Sequence, residues 1–247
     1  MAPAFSGRPA HIQSYADGIL DRGDDLEASI YVGLAAYMLA LMGRLDECHP
    51  RLEQLRQLTR RYQTPFSVDS VGNGYAAAIV ADTIRGDLGL ARGRGRRPIP
   101  IDPAFSMTSA AALAHAALLS SDAETMGQAL EWATQGSFQL LEFLTPFTNC
   151  CRVLLDGVVG EAADHAEDFW EASVAVPVWR LFALPLVNSA LIGAGRVDAA
   201  GAVTEQAATL LADMATAPLL TTALHLAQSQ VALACDDLDT ADHAAIA

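Results

Sequence analysis

Two adjacent cysteines, Cys150 and Cys151, and a short acidic run, Asp164, His165, Glu167 and Asp168, are the first places where residue type and spacing suggest chemistry. A vicinal thiol pair can serve redox or soft-metal chemistry, and carboxylates four apart on a helix share a face that could hold a cation. Neither grows into a motif. The remaining cysteines, Cys48 and Cys235, form no CxxC pair, so a zinc site or a secreted disulfide framework does not follow. The carboxylate run lacks both HExxH and EF-hand spacing, and a solvated helix face accounts for it. No GxSxG elbow occurs, and the six histidines are scattered along the chain. No catalytic residue, metal ligand or cofactor is therefore assigned, and a non-enzyme is expected. An all-helical metal enzyme using His165 and its neighbouring carboxylates is the alternative.

One basic cluster stands out. Arg92, Arg94, Arg96 and Arg97 occupy four of six consecutive positions within "ARGRGRRPIPID" at 91–102. Its glycines and prolines predict a loop that replaces most of a helix. Such a loop suits an acidic partner, a phosphate or another domain, or it is simply solvated. The chain as a whole carries a net charge of −14, and all of its 15 basic residues are arginine. That field opposes direct nucleic-acid contact by this segment.

The elements that position these residues follow from a recurring corner. Gly43-Arg-Leu-Asp-Glu-Cys48 aligns with Gly86–Ala91, Ser121–Met126, Gly157–Ala162, Gly195–Ala200 and Asp236–Ala241, and a weaker copy begins at Gly23. Successive starts lie 43, 35, 36, 38 and 41 residues apart. Glycine at the first position suits a left-handed helix end. Asp or Ser beside it suits an N-cap, and acids in the next turn suit the positive end of the helix dipole. The sixth position is mostly small. Seven residues before each start stand Ala36, Ile79, Ala114, Cys150, Asn188 and Ser229, mostly short, as close antiparallel packing requires. Cys150 and Cys48 thus occupy packing positions.

The expected fold class is all-α, an α-α superhelix (solenoid) of helix-turn-helix units, each too small to bury its own face. The composition agrees, with 52% apolar residues, only 6% aromatic and 18% charged. Leu52, Leu55, Leu58 and Tyr62 form one apolar stripe, and Trp179, Phe182, Leu186 and Ala190 form another, which Pro185 should kink. The apolar stretches Ala28–Met42 and Ala104–Ser120 are shorter than a membrane span and read as buried helices. No signal peptide is visible, so a cytoplasmic location is expected.

At these corners the sequence resembles the tetratricopeptide-like repeat superfamily. Its long, alanine-rich, lysine-free repeats resemble the helical sensor region of LuxR-type ATP-dependent transcriptional regulators of actinobacteria. That resemblance implies a lead-in helix over 1–25 and a repeat domain over 26–247, truncated partway through its last unit. It also implies a scaffold that engages a protein, such as another domain of a longer regulator, or a small-molecule effector. In repeats of this class, residues six and thirteen before each corner face the concave side. Tyr37, His115, Cys151 and Gln230 fall at the first position, and Asn73, Thr108 and Phe182 at the second, which together make the candidate groove. Homo-oligomerisation through the uncapped last unit is the remaining alternative.

Overall fold

A computed structural model describes residues 9–23, 25–61, 67–95, 103–136, 141–214 and 216–246. Tyr62 and the Thr-Pro-Phe segment at 64–66, like Arg96 and Arg97, lie outside them. The described residues form thirteen helices and no strand. They are α1 (Pro9–Asp21), α2 (Asp25–Leu41), α3 (Leu45–Arg61), α4 (Ser67–Ile84), α5 (Leu88–Gly95), α6 (Pro103–Leu119) and α7 (Ala123–Gln135). These continue into α8 (Leu144–Leu155), α9 (Val159–Ala172), α10 (Pro177–Gly193), α11 (Val197–Ala212), α12 (Pro218–Ala234) and α13 (Leu238–Ile246). No described helix is long and apolar enough to cross a membrane.

The corners are where the residue pattern places them. Positive φ occurs at Gly23, Gly43, Gly86, Ser121, Gly157, Gly195 and Asp236. The last six share one hydrogen-bond pattern. The corner N–H donates three residues back, as Gly43 does to the Ala40 carbonyl, and the next N–H donates five back, as Arg44 does to Leu39. This is the Schellman motif, and it is built from backbone alone. The residue after the corner then opens the following helix. Its carbonyl accepts from the sixth residue of the motif in all six cases, from Cys48 N–H to Arg44 through Ala241 N–H to Asp237. Side-chain capping is rarer than expected. Asp122 accepts from Thr125 N–H and Asp237 from Thr240 N–H, whereas Val158 and Arg196 make no such bond.

The even-numbered helices from α2 to α12 form an inner set. Several are apolar on nearly every face, as a helix enclosed on all sides must be. Consecutive members stack, α2 on α4, α4 on α6, α6 on α8, α8 on α10 and α10 on α12. The odd-numbered helices lie outside them and, α5 apart, are amphipathic. The small positions make the contacts expected of them. Cys150 donates through Sγ to the Ala162 carbonyl at 3.4 Å, and Ser229 donates through Oγ to the Ala241 carbonyl at 3.0 Å. These are the same two register positions in two different units.

The stack also meets itself. Helix α2 touches α10, and Leu219 at the start of α12 donates its N–H to the Met42 carbonyl at 3.3 Å. The first complete corner therefore rests on the last inner helix, and the inner set surrounds a filled centre.

Candidate functional site

The residues expected to line an open concave surface meet inside this centre instead. Tyr37 is fully buried and its hydroxyl donates to the Thr108 carbonyl at 3.5 Å. Thr108 in turn donates through Oγ1 to Asn73 Oδ1 at 3.4 Å. The Tyr37 ring stands edge-on to Trp179 at 6.0 Å, and Phe182 stands edge-on to Trp179 at 5.4 Å. His115 closes the group against Phe182 at 5.1 Å. Cys151 is fully buried in the same core. Trp179 is the hub. It is fully buried, Phe143 and Phe147 contact it as well, and its indole N–H has no hydrogen-bond partner among the described residues. Gln230 is not part of this group. Its Nε2 donates to Ser189 Oγ at 2.9 Å and to the Pro185 carbonyl at 3.3 Å, tying α12 to α10.

Burial sets the chemistry of these groups. It pushes the Cys48 and Cys150 thiols up to about 12 and Cys151 and the Tyr37 hydroxyl well above their ordinary values. It lowers His115 to about 4, although the residue as a whole is only half-buried. All five are neutral at neutral pH, so none of these cysteines is a thiolate there.

The acidic run of α9 is already engaged. Arg196, from the corner of the next unit, holds Asp164 at 2.5 Å and Glu167 at 2.9 Å. His165 stands 3.7 Å from Glu161, and Asp168 is exposed. Among the described residues no three His, Cys, Asp or Glu side chains converge as a metal would require.

The arginine cluster differs from the loop expected of it. Helix α5 continues to Gly95, so Arg92 and Arg94 project from a helix. Arg92 pairs with Asp122 at 3.0 Å and Arg94 with Asp82 at 2.7 Å, while the Tyr75 hydroxyl donates to the Arg94 carbonyl. These contacts to α4 and to the N-cap of α7 outweigh the weak local propensity of alternating Gly and Arg.

Open space lies on the outer face, between odd-numbered helices. A groove of about 610 Å³ runs between α11 and α13 over α12, and a narrower one of about 230 Å³ runs between α9 and α11 over α10. A third of about 760 Å³ lies along α1 and α3 and is lined by Gln13, Pro50 and charged residues of α3. Two further features escaped the residue pattern. Buried Arg180 donates twice to the Trp170 carbonyl, at 3.0 and 2.7 Å, with its guanidinium 4.3 Å from the indole centroid. It thereby caps the negative end of α9. Trp170 also donates through Nε1 to Gln206 on α11 at 3.0 Å. Compared with protein-family models, curated proteins and solved structures, the chain matches none of them.

Proposed function

We propose that the chain is an α-α superhelix of tetratricopeptide-like repeats that works as a non-enzymatic binding scaffold. It engages a protein or a small-molecule effector in the cytoplasm and does not itself contact nucleic acid. We further propose that it is the sensor or interaction region of a LuxR-type transcriptional regulator. The observation that carries the scaffold reading is the set of corners. Six share one backbone hydrogen-bond pattern at 35–43-residue intervals, each joining an inner helix to an outer one. Such a frame repeats without regard to side-chain chemistry and leaves the outer grooves for recognition. The engagement of Asp164 and Glu167 by Arg196 and the protonation of the buried thiols favour binding over catalysis. The long, lysine-free repeats are what favour the regulator.

Immunoprecipitation of the native polypeptide from its source cells, followed by peptide mass spectrometry, tests both parts. Peptides from a nucleotide-binding segment and a helix-turn-helix segment on the same chain support the regulator, and a native mass of 26.0 kDa refutes it. Turnover by the purified chain, abolished by Asp164→Asn or His165→Gln, refutes the non-enzymatic scaffold.

A further inference from the structure

The two outer grooves are the same groove in successive units. Counted from their corners at Gly157 and Gly195, Trp170 and Ala208 hold the same position, as do Glu167 and Glu205. Leu191 of the first groove corresponds to Ala232 of the second, and Val203 corresponds to Ala244. In the first groove these large side chains fill the space and Trp170 bridges to α11. In the second Trp170, Leu191 and Val203 are each replaced by alanine, and the volume rises from about 230 to about 610 Å³. The floor and wall also turn polar, with Gln228 in place of Val187 and His243 in place of Ala202.

The shape and charge of the larger groove describe its occupant. Along α12 it extends from His225 to Cys235, about 15 Å at 1.5 Å per residue, or roughly three helical turns. Glu205 and Asp237 line it, and both are exposed. Beyond Arg196 the sequence has seven acidic residues and no arginine, and no arginine is among the described residues lining the groove. We propose that the groove between α11 and α13 binds a cationic amphipathic helix of another protein, whose aromatic anchor enters the space above Ala208 that Trp170 fills one unit earlier. The proposal rests on the scaffold reading and names a partner class for it. A second copy of this chain is a poor occupant, because it brings a net charge of −14 to an acidic face.

The test uses the full chain and a fluorescein-labelled synthetic peptide of about fifteen residues. The peptide carries a Leu/Trp stripe flanked by Lys and Arg, and its control carries the same stripe flanked by Glu. Anisotropy is expected to show saturable binding of the cationic peptide, at least about tenfold tighter than the control. Ala208→Trp, which rebuilds the filled groove, should weaken binding at least about tenfold. Glu205→Gln with Asp237→Asn should weaken it several-fold and flatten its salt dependence, and Asn at 237 preserves the helix cap. Bound peptide should also slow alkylation of Cys235, which lines the groove and is exposed. Equal binding of both peptides overturns the proposal. So does unchanged affinity in Ala208→Trp with its helical circular dichroism intact, or self-association that protects Cys235 as protein concentration rises. A negative peptide result beside native peptides from a longer regulator removes the groove assignment and leaves the scaffold reading standing.

Discussion

Replacing Gly43 with alanine should destabilise the protein far more than the same change at Gly86, and the difference measures how firmly the stack closes on itself. The two glycines have nearly the same backbone, with φ of 77° and 80°. Each alanine would carry the same left-handed penalty, about 1–2 kcal/mol. Each also removes the same unfolded-chain freedom, so that contribution cancels in the comparison. The surroundings differ. A Cβ at Gly86 meets nothing within 4 Å, whereas one at Gly43 would stand 2.6 Å from Leu219 Cβ and 3.0 Å from Leu219 N. The second atom is backbone at the first turn of α12 and cannot rotate away. Relief requires α12 to withdraw from the corner, which stretches the Leu219-to-Met42 hydrogen bond. Overpacking of this kind costs about 1–3 kcal/mol. The expected loss is therefore about 3 kcal/mol at Gly43 and about 1 kcal/mol at Gly86, by urea unfolding followed at 222 nm. Gly195→Ala, with φ of 77° and no neighbour within 4 Å, is a second control and should match Gly86→Ala. If the three variants unfold within about 0.5 kcal/mol of one another, α12 does not rest on the first corner and the closed centre is wrong.

Four further outcomes follow from the same contacts. Trp179→Ala should cost about 3–5 kcal/mol in denaturant unfolding, because it empties the hub of the aromatic centre, and a loss below 1 kcal/mol would remove that hub. Neutral His115 should make stability fall with acid. Its folded value of about 4 lies below the ordinary 6.5, so the unfolded chain takes up the proton first, and stability present above pH 6.5 is lost as pH drops toward 4. The slope is at most about 1.4 kcal/mol per pH unit, softened by the residue's partial exposure, and His115→Phe should flatten that window in a pH-unfolding series. A thiol titration should find Cys235 reacting quickly in the native protein and Cys48, Cys150 and Cys151 only after unfolding, since these three are buried. Asp122→Ala should cost about 1–2 kcal/mol by removing both the cap on Thr125 and the Arg92 pair, while Asp122→Asn should recover most of the cap share.

The corners were legible because each depends on a few residues close in sequence. Glycine or a short polar residue takes the positive φ, and backbone groups within five residues complete the motif. The small positions were legible for the same reason, since Cys150 and Ser229 face their partners across a single turn. Closure of the stack was not. Met42 and Leu219 lie far apart in the chain, and nothing in the spacing of the units sets how tightly they curve. Tyr37, Thr108, His115 and Phe182 are residue types that suit an open binding surface or a filled centre equally well. Local composition also misled at Arg92 and Arg94, where partners on α4 and at the start of α7 hold a Gly-Arg segment helical. Arg180 had no local signal at all, because its acceptor is a carbonyl of the preceding helix.

The groove over α12 stands between these cases. Its defining change, Trp170 to Ala208, becomes visible when consecutive units are superposed on their corners, yet neither residue is conspicuous alone. This follows from the frame. Each corner is held by backbone bonds, and the two helices of a unit are locked together through small buried positions, so the fold places little demand on side chains between the outer helices. There a unit can carry Trp, Leu and Val and be narrow, or carry three alanines and stay open, without altering the backbone hydrogen bonds of its corner. Trp179 and its neighbours fill the centre, so in the proposed function recognition falls to these outer positions. Ala208→Trp should therefore weaken peptide binding at least about tenfold while leaving stability equal or higher. A variant that lost binding and stability together would show that the open groove is part of the packing rather than a site.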